Sequence, residues 1–274
     1  GTIKLDGNYP VGTDNVALGN TALDDGSLSG SWNVAVGTNA LTANTTGNQN
    51  VAVGSNAADG ITTGANNVSI GRETMGGVTT GDANTVVGSY AMYSAGTDPD
   101  YNTAIGNSAL AFNQADNNTA VGYQAAYSNT TGSWTTAFGT KAAYNTTTPA
   151  FNSAFGGQSL YSNTTGANNV AVGQNALLSN TTASNNTAVG YQAGYSNTTG
   201  QFNAFVGKEA GKNNVSGSAN AFFGDEAGLF TTSSNNTFIG DDAGYLVTSG
   251  AKNTVLGRYS GNQGGLDIRT SSNN

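Results

Sequence analysis

One glycine recurs along this chain every 16 to 18 residues, mostly every 17, and each time it closes a stretch close to Asn-x-Ala-x-Gly. A fixed period of this kind is typical of repeat proteins, in which each copy is one unit stacked on the next. The fifteen copies predict a repeat domain over residues 15–261, with a lead-in at 1–14. We expect the polar segment at 262–274 to continue in a longer chain. The repeat glycines are Gly19, Gly37, Gly54, Gly71, Gly88, Gly106, Gly122, Gly139, Gly156, Gly173, Gly190, Gly207, Gly224, Gly240 and Gly257.

The residues before each repeat glycine alternate in character. Asn stands four residues before it in every copy except one, where Thr135 replaces it, and a large apolar residue stands directly before it. Alternation with period 2 predicts a four-residue strand, ended by a glycine that can adopt a positive φ. Three residues after the glycine comes Ala in twelve copies, where we expect a second short strand or a bend. Asn-Thr-Thr-Gly, as at Asn44 to Gly47, supplies the turn that closes the repeat.

The repeat length restricts the fold. Seventeen residues are too few for a helical-hairpin repeat, and the leucine-rich pattern is absent. They suffice for one rung of a parallel β-solenoid, whose rungs stack about 4.8 Å apart. The sequence therefore predicts an all-β solenoid of about fifteen rungs.

Two positions in the repeat exchange size along the chain. The inner column, two residues before the repeat glycine, is mostly Ala at first and then Phe at Phe205, Phe222 and Phe238. The opposing column, four residues after the glycine, changes in the other direction, from Leu to Gly. Volume-conserving exchange indicates two positions that share one cavity. We therefore expect the two columns to face each other inside each rung. Leucines in the opposing column include Leu23, Leu41, Leu110 and Leu177, and glycines include Gly211, Gly228 and Gly244.

The apolar residue directly before each repeat glycine has no place in so thin a rung. We call these residues the outer column and predict that they meet around the threefold axis of a homotrimer, because a single chain buries little apolar area. The alternative is a monomeric solenoid with these large residues inside and Ala outside. The predicted trimer-interface residues are Val36, Val53, Ile70, Ile105, Val121, Phe138, Phe155, Val172, Val189, Val206, Phe223 and Ile239.

Composition excludes several classes of function. A net charge of −8 without any Lys/Arg cluster argues against a nucleic-acid partner, and no apolar run is long enough to insert into a membrane. There is no Cys for disulfides or thiolate metal sites. Without His or Cys, and with Ser and Thr confined to repeated turns, nucleophilic catalysis lacks a base. We therefore expect a protein that is not an enzyme and has no catalytic residues and no organic cofactor.

The string NVAVGTNALTANTTGNQNVAVGSNA at 33–57 resembles the head repeats of trimeric autotransporter adhesins. The longer form NTAVGYQAGYSNTTG is similar to repeat arrays in tail-fibre proteins of marine bacteriophages, especially cyanophages. The resemblance implies a trimeric left-handed parallel β-roll and a structural or adhesive role in host attachment, as the shaft or receptor-binding part of a virion tail fibre. The alternative is the head domain of a bacterial trimeric adhesin at the cell surface. A fused baseplate-attachment domain would indicate the first, and a coiled-coil stalk with an outer-membrane anchor the second.

One acidic cluster is a candidate metal site. Asp225, Glu226, Asp241 and Asp242 follow the repeat glycines of consecutive rungs, and stacking would bring their carboxylates within about 5 Å of one another. Oxygen ligands of this kind suit Ca²⁺. The alternative is that Lys208, Lys212 and Arg258 neutralise the patch, with alternate carboxylates pointing apart into water.

Tyrosines five residues after the repeat glycine form a candidate receptor contact. The tyrosine column consists of Tyr93, Tyr127, Tyr144, Tyr161, Tyr195 and Tyr245. Aromatic faces with a polar tip suit a host-surface glycan or protein, and we name Tyr127, Tyr161 and Tyr195 as contacts. The alternative is that each ring packs over the neighbouring turn. Repeated Asn-Thr-Thr triplets are interpreted as turns rather than glycosylation sites, and an ice-binding Thr surface is a third, less favoured class.

Overall fold

The computed structural model describes residues 14–96, 98–148, 150–263 and 266–273, with backbone alone at 263, 266 and 267. Of the predicted lead-in, residues 1–13 lie outside the described residues. Every repeat strand has three residues rather than the four predicted. The residue before the strand lies outside the ladder because its N–H donates to an asparagine side chain, as the N–H groups of Asn67 and Thr135 do. The strands are β1 (Val16–Leu18), β2 (Val34–Val36), β3 (Val51–Val53), β4 (Val68–Ile70), β5 (Thr85–Val87), β6 (Thr103–Ile105), β7 (Thr119–Val121), β8 (Thr136–Phe138), β9 (Ser153–Phe155), β10 (Val170–Val172), β11 (Thr187–Val189), β12 (Ala204–Val206), β13 (Ala221–Phe223), β14 (Thr237–Ile239), β15 (Thr254–Leu256), β16 (Asn262–Gln263) and β17 (Leu266–Asp267).

The strands fall into two compact units, Gly1–Thr135 with β1 to β7 and Thr136–Asn274 with β8 to β17. Within each unit, consecutive repeat strands pair in parallel with equivalent residues side by side, so that Ala35 pairs with Ala52 and Phe222 with Phe238. One strand and a run of turns make up each rung. The described part of the chain contains no helix and no second repeat strand, so the position after the glycine forms a turn. The predicted parallel β-solenoid is confirmed.

Close stacking of the rungs accounts for the invariant glycine. Gly106 has a φ of 132°, a conformation that other residues rarely adopt. A Cβ atom there would lie 2.5 Å from the carbonyl oxygen of Gly122 in the next rung. Both the backbone conformation and the approach of the neighbouring rung therefore require glycine.

The interior is built as the size exchange predicts. The inner-column residues of β2 to β14 are fully buried, from Ala35 to Phe238. The opposing column meets them: a Cβ at Gly211 would lie 2.5 Å from the Phe205 ring, and a Cβ at Gly228 would lie 2.5 Å from Phe222 Cε2. Large and small residues thus share one cavity in the rungs of β12 to β14. Where both columns are small, as with Ala188 and Gly194 in the rung of β11, side chains of the neighbouring rungs occupy the space: a Cβ at Gly194 would lie 2.6 Å from the Phe205 ring and 2.9 Å from Leu177 Cδ2.

The alternative arrangement, with Ala outside and the outer column inside, is wrong. Ala35 and Ala104 are fully buried, whereas Ile70 is 38% exposed and Phe138 51% exposed. The reason is geometric, since alternate side chains of a strand point to opposite faces and the interior admits only the inner column.

A buried asparagine column connects the rungs within each unit. The N–H of Asn67 donates to Asn50 Oδ1 at 3.0 Å, its Nδ2 donates to the carbonyl of Gly81 at 2.7 Å, and its own Oδ1 accepts from the N–H of Asn84 at 2.9 Å. The same pattern recurs at Asn186 in the second unit. These side chains satisfy backbone groups that three-residue strands leave unpaired.

The C-terminal segment packs against the last turns of the second unit. Ile268 is 2% exposed, and its N–H donates to the carbonyl of Gly261 at 2.9 Å. The N–H of Thr248 donates to the carbonyl of Arg269 at 2.9 Å, and Asn253 Nδ2 donates to that of Ser271 at 3.0 Å. A segment that the sequence presented only as polar therefore covers part of the terminal rung, as capping elements do in repeat proteins.

Candidate functional surfaces

The outer column forms an apolar surface on each unit. Nine of its twelve predicted interface residues are exposed in the single chain, and the other three, Val36, Val121 and Val206, are half-buried. Strand pairing places them side by side, one per rung, and the rings of Phe138 and Phe155 stack with centroids 6.4 Å apart. Single exposed apolar residues are common on protein surfaces, but a continuous exposed row of this kind is typical of an interaction surface. The nine exposed residues are Val53, Ile70, Ile105, Phe138, Phe155, Val172, Val189, Phe223 and Ile239.

The tyrosine column is half-buried rather than fully displayed. Tyr127, Tyr161 and Tyr195 have intermediate exposure, and only Tyr93 of the column, at 45%, is an exposed residue. Tyr161 stacks on Tyr144 with ring centroids 5.2 Å apart, and Tyr127 meets the edge of Phe112 at 5.1 Å. The rings therefore contact aromatic neighbours, as in the alternative interpretation of the sequence. Contact with a receptor stays a prediction.

Basic side chains reach every carboxylate of the acidic cluster in the second unit. Lys208 Nζ lies 3.5 Å from Asp225 Oδ1 and 3.2 Å from Glu226 Oε1. Arg258 lies 2.8 Å from Asp242 and 3.6 Å from Asp241, measured between guanidinium nitrogen and carboxylate oxygen. Hydrogen bonds to Glu226 and Asp242 raise the pKa of Lys208 and of Arg258. Lys212 instead pairs with Glu209 at 3.1 Å.

A shallow cavity of about 270 Å³ lies beside this cluster, lined by Glu226, Asp242, Tyr245 and Ser260. In the chain as described, no three His, Cys, Asp or Glu side chains converge in a way that could hold a metal ion. The ion pairs with Lys208 and Arg258 are enough to explain why four carboxylates can lie together on this surface. A Ca²⁺ site at Asp225, Glu226, Asp241 and Asp242 stays a prediction, for calcium titration to test.

A second acidic column lies in the first unit, where carboxylates accept hydrogen bonds from the rung before them. The N–H of Asp82 donates to Asp100 Oδ1 at 2.7 Å, and the N–H of Asp100 donates to Asp116 Oδ1 at 2.9 Å. Burial, followed by the charges of Asp116, Asp98 and Asp82, raises the pKa of Asp100 above its usual range. Like charges therefore accumulate in this column.

The sequence interpretation missed five exposed aromatic residues. They stand one position before the asparagine column, five residues before the repeat glycine, at a place we call the entry column. Aligning the copies on the glycine would have revealed them, because Asn fills the same place in five other copies. Their exposures are 55% for Trp32, 64% for Tyr101, 57% for Trp134, 59% for Phe151 and 63% for Phe202.

The repeated Asn-Thr-Thr triplets form turns that join successive rungs. Asn44 Oδ1 accepts from the N–H of Gly47 at 2.9 Å, and Thr45 Oγ1 donates to the carbonyl of Thr62 at 3.1 Å. The side chain of the first Thr therefore bonds to the next rung, while the second Thr, such as Thr46, is exposed. These contacts explain the triplet as turn chemistry.

The fold and these surfaces define the chain as a parallel β-solenoid repeat protein. Comparison with protein-family models, with curated proteins and with solved structures finds no match. Among the residues whose placement is described, no helix is long and apolar enough to cross a membrane.

Proposed function

We propose that this chain is a structural and adhesive segment of a fibre, the shaft or receptor-binding part of a phage tail fibre, in which three copies form a left-handed parallel β-roll. The observation that carries the proposal is the exposed outer column, with one apolar residue per rung. The resemblance of the repeats to tail-fibre arrays and adhesin heads supports it. The role is mechanical and multivalent rather than catalytic.

Association of parallel copies suits this surface. A rotation axis running along the stack brings each outer-column residue of one copy against the same rung of the next, so the contact repeats at every level. Fully burying a Val, Ile or Phe side chain stabilises by about 1.5–3 kcal/mol. Residues such as Ile70 and Ile239 are already partly buried in the single chain, so each has roughly 1 kcal/mol left to gain. Repetition over many rungs makes the total large.

Native mass in solution tests the proposal. Light scattering on a size-exclusion column is expected to give three times the chain mass of 27.4 kDa. Replacing Val172 and Ile239 with Asp should dissociate the assembly, because each charge would be buried between copies. Thr182→Asp, at an exposed turn, is the matched control and should leave the mass unchanged. A wild-type mass of 27.4 kDa would overturn the trimer.

Attachment is tested separately with fluorescently labelled protein and a panel of intact bacterial cells that includes cyanobacteria. Binding to particular strains, with slow dissociation from repeated contacts, is expected of an adhesive fibre. A trimer that binds no strain would leave a shaft and remove the adhesive role.

A further inference from the structure

The entry column combines two features that are unfavourable for an aromatic residue. Each of its five aromatic side chains is more than half exposed, and each has a left-handed backbone conformation, with φ between 56° and 61°. Bulky residues are rarely found in this conformation, which Asn, Asp and Gly tolerate much better.

The backbone conformation belongs to the fold and not to the aromatic residues. All fifteen entry-column residues have positive φ, and five of them are Asn, including Asn66, Asn117 and Asn185. Asn at Trp32, Tyr101 or Trp134 would therefore suit the fold better than the residue present. An aromatic residue that is more than half exposed and also has an unfavourable backbone conformation is typical of a binding site.

We propose that Trp32, Tyr101 and Trp134 of the first unit are stacking residues for a neutral host-surface glycan. This inference rests on the proposed attachment function and names its ligand class and contacts. Tyr101 and Trp134 lie two rungs apart, roughly 10 Å along the stack, with Asn117 in the rung between them. That spacing is comparable to a disaccharide, and the amide of Asn117 can donate to a hydroxyl between two stacked sugars.

The surrounding charge selects a neutral glycan. Aromatic faces suit the apolar faces of sugar rings, while the phenol of Tyr101 and the indole N–H groups can bond to hydroxyls. Asp100 and Asp116 directly precede Tyr101 and Asn117, and carboxylates accept hydrogen bonds from hydroxyls but repel anions. The chain's net charge of −8 adds to this repulsion.

Intrinsic fluorescence reports on this surface directly, because Trp32 and Trp134 are the chain's only tryptophans. Titration of the trimer with dextran or mannan should shift the emission and protect it from acrylamide quenching. Alginate, an acidic polysaccharide, should do neither. If neither neutral polysaccharide changes the emission, or if alginate acts as strongly, the proposal is overturned.

Asparagine variants separate binding from folding. Trp134→Asn and Tyr101→Asn should each weaken retention on immobilised neutral polysaccharide by about tenfold, without lowering Tm, because Asn is native to this column. Tyr191→Asn, which removes an exposed ring at a different position in the second unit, is the control and should bind like wild type.

The outcomes distinguish this inference from the proposed function. A trimer that attaches to cells, and whose attachment survives Trp134→Asn and Tyr101→Asn together, keeps the fibre role and overturns the stacking role. Equal loss of binding in Tyr191→Asn would also overturn it. Failure of wild type both to trimerise and to attach would reject the fibre itself.

Discussion

The rungs of β2 and β6 in the first unit and those of β13 and β14 in the second have the same backbone but opposite interiors. In the rung of β2 the two positions are the fully buried Ala35 and Leu41, whereas in the rung of β13 Phe222 faces Gly228. Leu41 and Gly228 nevertheless share the left-handed conformation, with φ of 50° and 62°. In these rungs the repeat therefore conserves the combined volume of the two facing positions rather than the residue at either one. A left-handed Leu persists because its burial offsets the backbone cost.

The two units also treat acidic columns differently. Lys208 and Arg258 neutralise the carboxylates of the second unit, whereas those of Asp82, Asp100 and Asp116 in the first follow one another with like charge. The buried asparagine column, in contrast, is common to both units. Three predictions separate what the units share from what differs.

The largest effect is expected where a Phe interior meets a glycine. In Gly228→Ala the added Cβ would lie 2.5 Å from the Phe222 ring at a φ of 62°, so overpacking and backbone strain add. We expect a loss of about 3 kcal/mol in the free energy of unfolding, measured by denaturant titration. Gly26→Ala is the control, since nothing lies within 4 Å of its Cβ position, and should change stability by less than about 0.5 kcal/mol.

A double variant tests volume conservation itself. Phe222→Ala combined with Gly228→Leu recreates the Ala and Leu pairing of the first unit, and should recover more than half of the loss in Gly228→Ala. Recovery is incomplete because the ring of Phe222 also stacks on that of Phe238, with centroids 4.9 Å apart. No recovery would mean that the two interiors are not interchangeable.

The second prediction concerns the feature that both units share. Asn186→Ala leaves the N–H of Asn203 and the carbonyl of Gly200 without their buried partner and should cost about 2–3 kcal/mol. Asn67→Ala should cost the same in the first unit. Asn185→Ala changes an exposed neighbour and should cost about 1 kcal/mol, for its left-handed conformation alone. Unequal losses at Asn67 and Asn186 would show that the column differs between the units.

The smallest effect concerns the acidic columns and depends on pH. The raised pKa of Asp100 means that the folded state binds its proton more tightly, so this group's contribution to stability falls as pH rises from about 3.9 through the folded pKa. Asp100→Asn keeps the acceptor for the N–H of Asp82. It should raise stability at pH 7, by less than about 0.5 kcal/mol after solvent screening, and the gain should vanish near pH 3.

Asp242→Asn in the second unit is the counterpart for this comparison. Its carboxylate pairs with Arg258, so the variant should lose a little stability at pH 7 at low salt and show no gain. If both variants are stabilised alike, like charge rather than pairing governs both columns.

The repeat pattern predicted the rung, its parallel pairing and the two facing columns, because spacing and residue volume are local properties that stacking preserves. It left open whether the tyrosine rings contact a receptor or pack over the neighbouring turn, and the structure places them half-buried, with the rings of Tyr144 and Tyr161 stacked on each other. The pattern also left open whether the side chains of the outer column point into the rung or away from it. Those outcomes depend on how the turn residues direct each side chain over the neighbouring rung.

The amino-acid pattern alone determines that this chain repeats a rung with a glycine at each strand end, because only glycine fits that conformation so close to the next rung. Only the folded structure decides which side chains reach solvent. Trp134 is 57% exposed although its backbone has the same left-handed conformation as that of the fully buried Leu110, whereas Phe222 is buried because the glycine opposite leaves room for its ring. Whether a side chain is exposed or buried depends on contacts between rungs, and these contacts are made by residues that are distant in sequence.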